Sequence, residues 1–292
     1  GDCSTYCPRD VKPADVLSAV RHISYSHYAR PKFLGKLLSS AKGLPIAILI
    51  PVIFITTILL IAGTFHIPEG SVNYSKFFPH SWLNSSFATL TLLIIGLTLG
   101  GLAKFWKDMR AKFPDETIEK GFIASFFGVI GELITHRNFG SCEAQKPRKI
   151  SHLLVFYGFV LIFLMTIYAI YAVMMDIYPL SFSDPVKIVG NVASLMLISG
   201  LVIMIFNRLR DNEKFGNSSY SDWLFLISML ILTISGVLVE MGRFLDWQIA
   251  YHIYFLHLCT VWFLIIYLPY IKFGHILYRT TAMVFAKMIG RK

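Results

Sequence analysis

Hydrophobic positions in this chain come in long unbroken blocks, not in the alternating or one-sided patterns of soluble domains. Six blocks are long enough for a helix to cross a hydrocarbon layer of ~30 Å. They are residues 44–63, 87–106, 152–174, 188–206, 222–240 and 251–273. Between the second and third lies a different pattern. Within 117–135, Phe122, Phe126, Val129, Ile130 and Leu133 recur at helical spacing among polar residues. This predicts an amphipathic helix, too short to span, lying flat on the membrane interface. Pro45 and Pro51 stand early in the first block, where helix turns tolerate them best. Gly96, Gly100 and Gly101 in the second block and Gly190 and Gly200 in the fourth favour close helix packing. The expected fold is an all-α integral membrane protein, about six transmembrane helices in a bundle. The expected division is an N-terminal segment with a basic linker at 1–43 and two transmembrane helices at 44–106. A cytoplasmic connection at 107–149, a four-helix membrane domain at 150–276 and a cytoplasmic tail at 277–292 follow.

The last block organises the rest. It carries His257 near one end and His275 at the other, eighteen residues apart. In one continuous helix that separation is about 27 Å and roughly five whole turns. Both imidazoles would then project from one face, one near each membrane surface, as the axial ligands of two stacked haems would.

Composition agrees with the class and charge adds an orientation. The chain is 55% hydrophobic with a mean hydropathy of +0.61. Of its 27 Lys and Arg, only Lys76, Lys187 and Arg243 fall on one side of the predicted spans. The other 24 fall on the opposite side, a strong positive-inside bias that predicts both termini in the cytoplasm of a multi-pass inner-membrane protein. The net charge of +10 thus reads as topology and contact with lipid or partners. Nucleic-acid binding is excluded, since the charge carries no recognition motif and lies beside membrane spans. The segment 25–42 mixes Arg30, Lys32 and Lys36 with Tyr28, Phe33 and Leu37, as a segment against lipid headgroups would. The polar N-terminus does not read as a cleavable signal peptide.

Candidate chemistry lies at the span ends. His152 opens the third span on the same side of the membrane as His275, so imidazoles from two neighbouring helices could hold one haem b iron there. On the opposite side, His257 needs a partner, and His66 is the weak candidate; His252 is about 140° round the helix from it. Glu240 and Arg243, with Asp246, cluster at the end of the fifth span and are candidates for handling quinol protons, as is His136 at the other surface; interface-seeking charge and loop packing are the plain alternatives. Near the N-terminus, Cys3-x3-Cys7-Pro8 has the spacing of the last two cysteines of a 4Fe–4S ferredoxin run. Two free cytoplasmic thiols are the alternative there.

The stretch LPYIKFGH closing an H-x17-H span, preceded by ISGVLVEMGRF, resembles the nitrate reductase gamma subunit and the membrane subunit of heterodisulfide reductase. GDCSTYCPRDVKPADVLSAVR is similar to the end of the iron–sulfur subunit of heterodisulfide reductase. Their fusion resembles the membrane subunit of the quinone-interacting membrane-bound oxidoreductase (Qmo) complex of sulfate reducers. The resemblance implies a ferredoxin-like 4Fe–4S domain at the N-terminus, with Cys3 and Cys7 as ligands and their companions upstream. It implies His152 and His275 as ligands of an inner haem b and His257 as one ligand of an outer haem. The gamma-subunit pattern has a second histidine where this chain has Ile162, which leaves the outer haem without that ligand. The implied function is a cytochrome b-type electron-transfer subunit of a quinone-linked oxidoreductase. It would pass electrons between menaquinone and cytoplasmic flavin and iron–sulfur subunits, toward adenylylsulfate reductase. A proton-coupled transporter and a haem-free membrane anchor of a soluble complex are the alternatives.

Overall fold

The computed structural model describes residues 27–136, 146–175, 180–210 and 219–291, together with 16, 20, 23, 24 and 177. Every regular element among the described residues is helical: α1 (Lys32–Leu38), α2 (Leu44–Ile61), α3 (Tyr74–Phe77), α4 (His80–Lys112), α5 (Phe122–Thr135), α6 (Lys146–Met174), α7 (Pro185–Arg210), α8 (Tyr220–Phe244), α9 (Ala250–Tyr267) and α10 (Lys272–Met288). Six stretches are long and apolar enough to cross a membrane, and they coincide with the six hydrophobic blocks. The protein is a multi-pass α-helical membrane protein.

α9 is the middle of the bundle. It packs against α8, α2 and α4 and buries residues all round its circumference, among them Tyr251, Leu258, Trp262, Phe263 and Tyr267. Toward the basic end of the bundle, its core joins Leu34 and Leu38 of α1, Leu197 and Leu201 of α7, and Leu226 and Met229 of α8. Toward the far end it joins Ile55 and Leu59 of α2, Leu90 and Ile94 of α4, and Phe77 and Phe78. α6 is peripheral and pairs with α7. A Cβ on Gly158 would sit 3.0 Å from the Ala193 carbonyl oxygen, and one on Gly200 2.9 Å from that of Ser151. Glycines there let the two backbones approach where a side chain would hold them apart.

The last hydrophobic block is not one rod. α9 ends at Tyr267, a 3-10 turn covers Leu268–Tyr270, and Ile271 is extended (φ −101°, ψ −170°) before α10 begins. The cause is local. Pro269 has no N–H to give to the helix and its ring crowds the preceding turn. Gly274 is also needed, since a Cβ there would run into the Pro269 carbonyl. Side chains fasten the break on three sides. The Tyr267 hydroxyl donates to the Ala47 carbonyl at 3.2 Å and the Tyr270 hydroxyl to the Pro31 carbonyl at 2.7 Å. Lys272 pairs with Asp222 at 2.6 Å, and Arg208 lies 3.8 Å from the same carboxylate. Asp222 also closes a capping box with Ser219 at the start of α8.

Beyond the break, α10 is amphipathic and packs against α5 and the end of α4. Val129 of α5 is buried with Val284 and Met288 of α10, beside Trp106. α5 itself matches the amphipathic helix expected within 117–135. At the far end, the connection between α2 and α4 is latched to the α8–α9 corner. Asp246, in the left-handed region (φ 56°), accepts from the Val72 N–H at 2.5 Å. Gln248 donates to the Gly70 carbonyl at 2.7 Å, and the Tyr251 hydroxyl accepts from the Asn73 N–H at 2.9 Å.

Candidate functional site

Of the two histidines on α9, the second is set deep. His257 lies seven residues into the helix, about 10 Å below its first turn. Its Nδ1 is 3.0 Å from the Ser235 hydroxyl on α8. Ser235 is buried, and its hydroxyl also donates to the Leu232 carbonyl at 3.0 Å. The neighbouring residue is Gly236, where a Cβ would stand 3.2 Å from His257 Cε1. Serine thus holds one ring edge and glycine leaves room for the ring face. An imidazole whose Nδ1 is held by such a hydrogen bond keeps its lone pair on Nε2. The sequence reading gave Ser235 and Gly236 no role; the pair is a common helix-packing dipeptide, and only the facing helix gives it meaning.

The break between α9 and α10 corrects the picture of two histidines in phase on one rod. His257 is on α9 and His275 on α10, so the five-turn phase relation between them does not hold. The carriers of His152 and His275 do meet: Phe159 of α6 and Phe273 of α10 have ring centroids 4.9 Å apart. Among the rings against His152 is that of His136, edge-on at 5.3 Å between centroids. His136, in the left-handed region at the end of α5 (φ 48°), also meets Phe156 at 4.7 Å. Its Nδ1 lies 3.1 Å from the Ile134 carbonyl, which accepts from the Tyr157 hydroxyl as well.

At the far end His66 is found beside the first turns of α9. It lines a cleft of about 370 Å³ with His252, Phe65, Ile67, Phe77, Tyr251 and Phe255. Glu240 is held by Lys187 of α7 at 2.9 Å, an ion pair between helices at partly exposed positions. Arg243 lies in the last turn of the same helix. Among the described residues, no three His, Cys, Asp or Glu side chains converge as a metal site. Cys3 and Cys7 lie outside the described residues.

Comparison with known proteins gives the family. The family model for Citrate utilization protein B matches residues 34–292. Citrate utilization protein B of Escherichia coli is 27% identical over 283 residues, covering 92% of this chain and 73% of that protein. No solved structure matches. These findings overturn the resemblance to the Qmo and heterodisulfide reductase subunits. With it falls the function it implied, a menaquinone-linked cytochrome b subunit of sulfate respiration. Motifs such as H-x17-H and C-x3-C-P are short and recur in unrelated chains, whereas the new match runs over most of the sequence. By that match over residues 34–292, this chain belongs to the Citrate utilization protein B family.

Proposed function

We propose that this protein is a haem-carrying integral-membrane component of citrate utilization, with His257 as an iron ligand. One observation carries the reading. Across the apolar centres of the six spans (44–63, 87–103, 153–174, 188–207, 223–239 and 253–271), His257 is the sole Asp, Glu, Lys, Arg or His. A titratable side chain in the hydrocarbon layer is costly and marks function. This one also has its Nδ1 engaged by a neighbouring helix.

The residues fit one imidazole per iron at this site. They do not fit two haems stacked along a single helix, because that helix ends at Tyr267. Haem, when bound, supplies one-electron chemistry. The chain's own part is placement. Ser235 orients the His257 ring, Gly236 clears its face, and the packed apolar residues of α2, α8 and α9 keep water away. His152 and His275, on helices that meet at Phe159 and Phe273, are the candidate ligands of a second haem. In this reading the basic end faces the cytoplasm, where a soluble redox protein would dock. A carrier for citrate itself fits less well. A trianion crossing the bilayer needs cations along its path, and these span centres contain no Lys or Arg.

The test is visible absorption of the purified full chain, oxidised and reduced. A b-type spectrum is expected, lost in His257→Ala at unchanged helix content. Ser235→Ala should keep the spectrum and weaken haem retention about 10–100-fold. A full-length protein without b-type absorption, or a His257→Ala variant with undiminished haem and an unshifted spectrum, overturns the reading.

A further inference from the structure

Two helices at the basic end hold apolar side chains outward, away from the rest of the described chain. α5 is the clearer case. One of its faces carries Val129, packed with Val284 and Met288 of α10 beside Trp106. The other presents Ile123, Phe127 and Ile134 at 71%, 67% and 52% exposure. A helix of 14 residues whose apolar stripe runs well past its contact with α10 is poorly matched to water and too short to cross a bilayer. Its orientation is fixed. Lys287 of α10 passes over Gly128, where a Cβ would lie 2.7 Å from Nζ, to reach Glu132 at 2.7 Å. The N–H groups of Glu119 and Lys120 donate to the Met288 carbonyl at 2.8 and 3.2 Å.

α1 repeats the arrangement on a smaller scale. Leu34 and Leu38 are buried in the bundle core. Phe33 is 65% exposed, flanked on the open face by the exposed Lys32 and Lys36. The helix ends six residues before Leu44, so covalent continuity keeps it within about 20 Å of the start of α2. Aromatic and aliphatic side chains interleaved with lysines, at the end of a membrane bundle, are chemically matched to a lipid surface of negative charge.

We propose that α1 and α5 form a collar that seats in the leaflet at the basic end and binds anionic phospholipid. Phe33, Ile123 and Phe127 enter the boundary of the acyl chains. Lys32, Lys36 and Lys120 hold headgroup phosphates. The proposal is independent of haem and of the reading of His257.

The test uses the full chain in nanodiscs of phosphatidylcholine, with and without phosphatidylglycerol, and a phospholipid bearing a carbene-generating acyl chain. Label is expected on residues 122–135 as well as on the six spans. Ile123→Ser with Phe127→Ser should remove label from 122–135 and leave it on the spans. Phosphatidylglycerol should raise the unfolding midpoint by about 4–8 °C, and Lys32→Gln with Lys36→Gln and Lys120→Gln should abolish most of that rise. Label on the spans but not on 122–135 would leave the face to a protein partner and overturn the proposal, as would equal midpoints in the two lipid mixtures.

Discussion

α9 and α10 form one run of hydropathy and two kinds of helix. α9 is apolar on every side and buries residues around its whole circumference. α10 is apolar on one side and carries Lys272, Arg279 and Lys287 on the other. The first has protein and lipid for surroundings; the second has protein on one face and a polar boundary on the other. The change falls at Pro269, where the backbone turns. Hydropathy averaged over a window of about 19 residues runs straight across such a point, because the mean stays high while the periodicity changes. The difference teaches that the length of a hydrophobic block bounds a span from above.

The comparison can be broken most severely at the ion cluster that pins α10. Asp222→Ala leaves Lys272 and Arg208 without their shared carboxylate and removes the capping box. A loss of about 2–3 kcal/mol is expected, seen as a lower midpoint of thermal unfolding in detergent. Gly274→Ala should cost about 1–3 kcal/mol by the same measurement, because the new methyl meets the Pro269 carbonyl. Ser235→Ala tests the α8–α9 side. It removes one hydrogen bond to His257, for about 0.5–1.5 kcal/mol, and should leave the α10 contacts unchanged in hydrogen exchange. Glu132→Gln, which weakens the pair with Lys287 across Gly128, should cost about 0.5–1 kcal/mol and speed amide exchange in α5 and the end of α10 alone. Exchange that spreads equally through α9 would show that the two helices behave as one body and would remove the contrast.

The fold was legible where one physical quantity decides it. Six apolar blocks of bilayer length became six spans, and Phe122, Phe126, Val129 and Leu133 marked α5 by their spacing. The break at 268–271 was written in the chain as Pro269 and Gly274, yet proline is common enough in membrane helices that its presence alone does not end one. The site was legible in part. His257 stands out in an apolar block with no alignment needed, but its partners Ser235 and Gly236 lie on another helix and depend on packing. Glu240 and Arg243 read as a proton-handling pair because they are near each other in sequence. The partner found for Glu240 is Lys187, fifty-three residues away on α7. The family is not legible from short ligand-like motifs, because it is carried by similarity along most of the chain's length.

The latch at the far end sets a depth. Gly70, Val72 and Asn73 are each bonded to the corner that launches α9, through Gln248, Asp246 and Tyr251. Helix rise is fixed per residue, so anchoring the corner also anchors everything hung below it. Lengthening that connection by a residue or two would let the corner ride up or down, and the imidazole two turns beneath would slide past its serine. A loop outside the apolar layer therefore works as a depth gauge for the polar group within it.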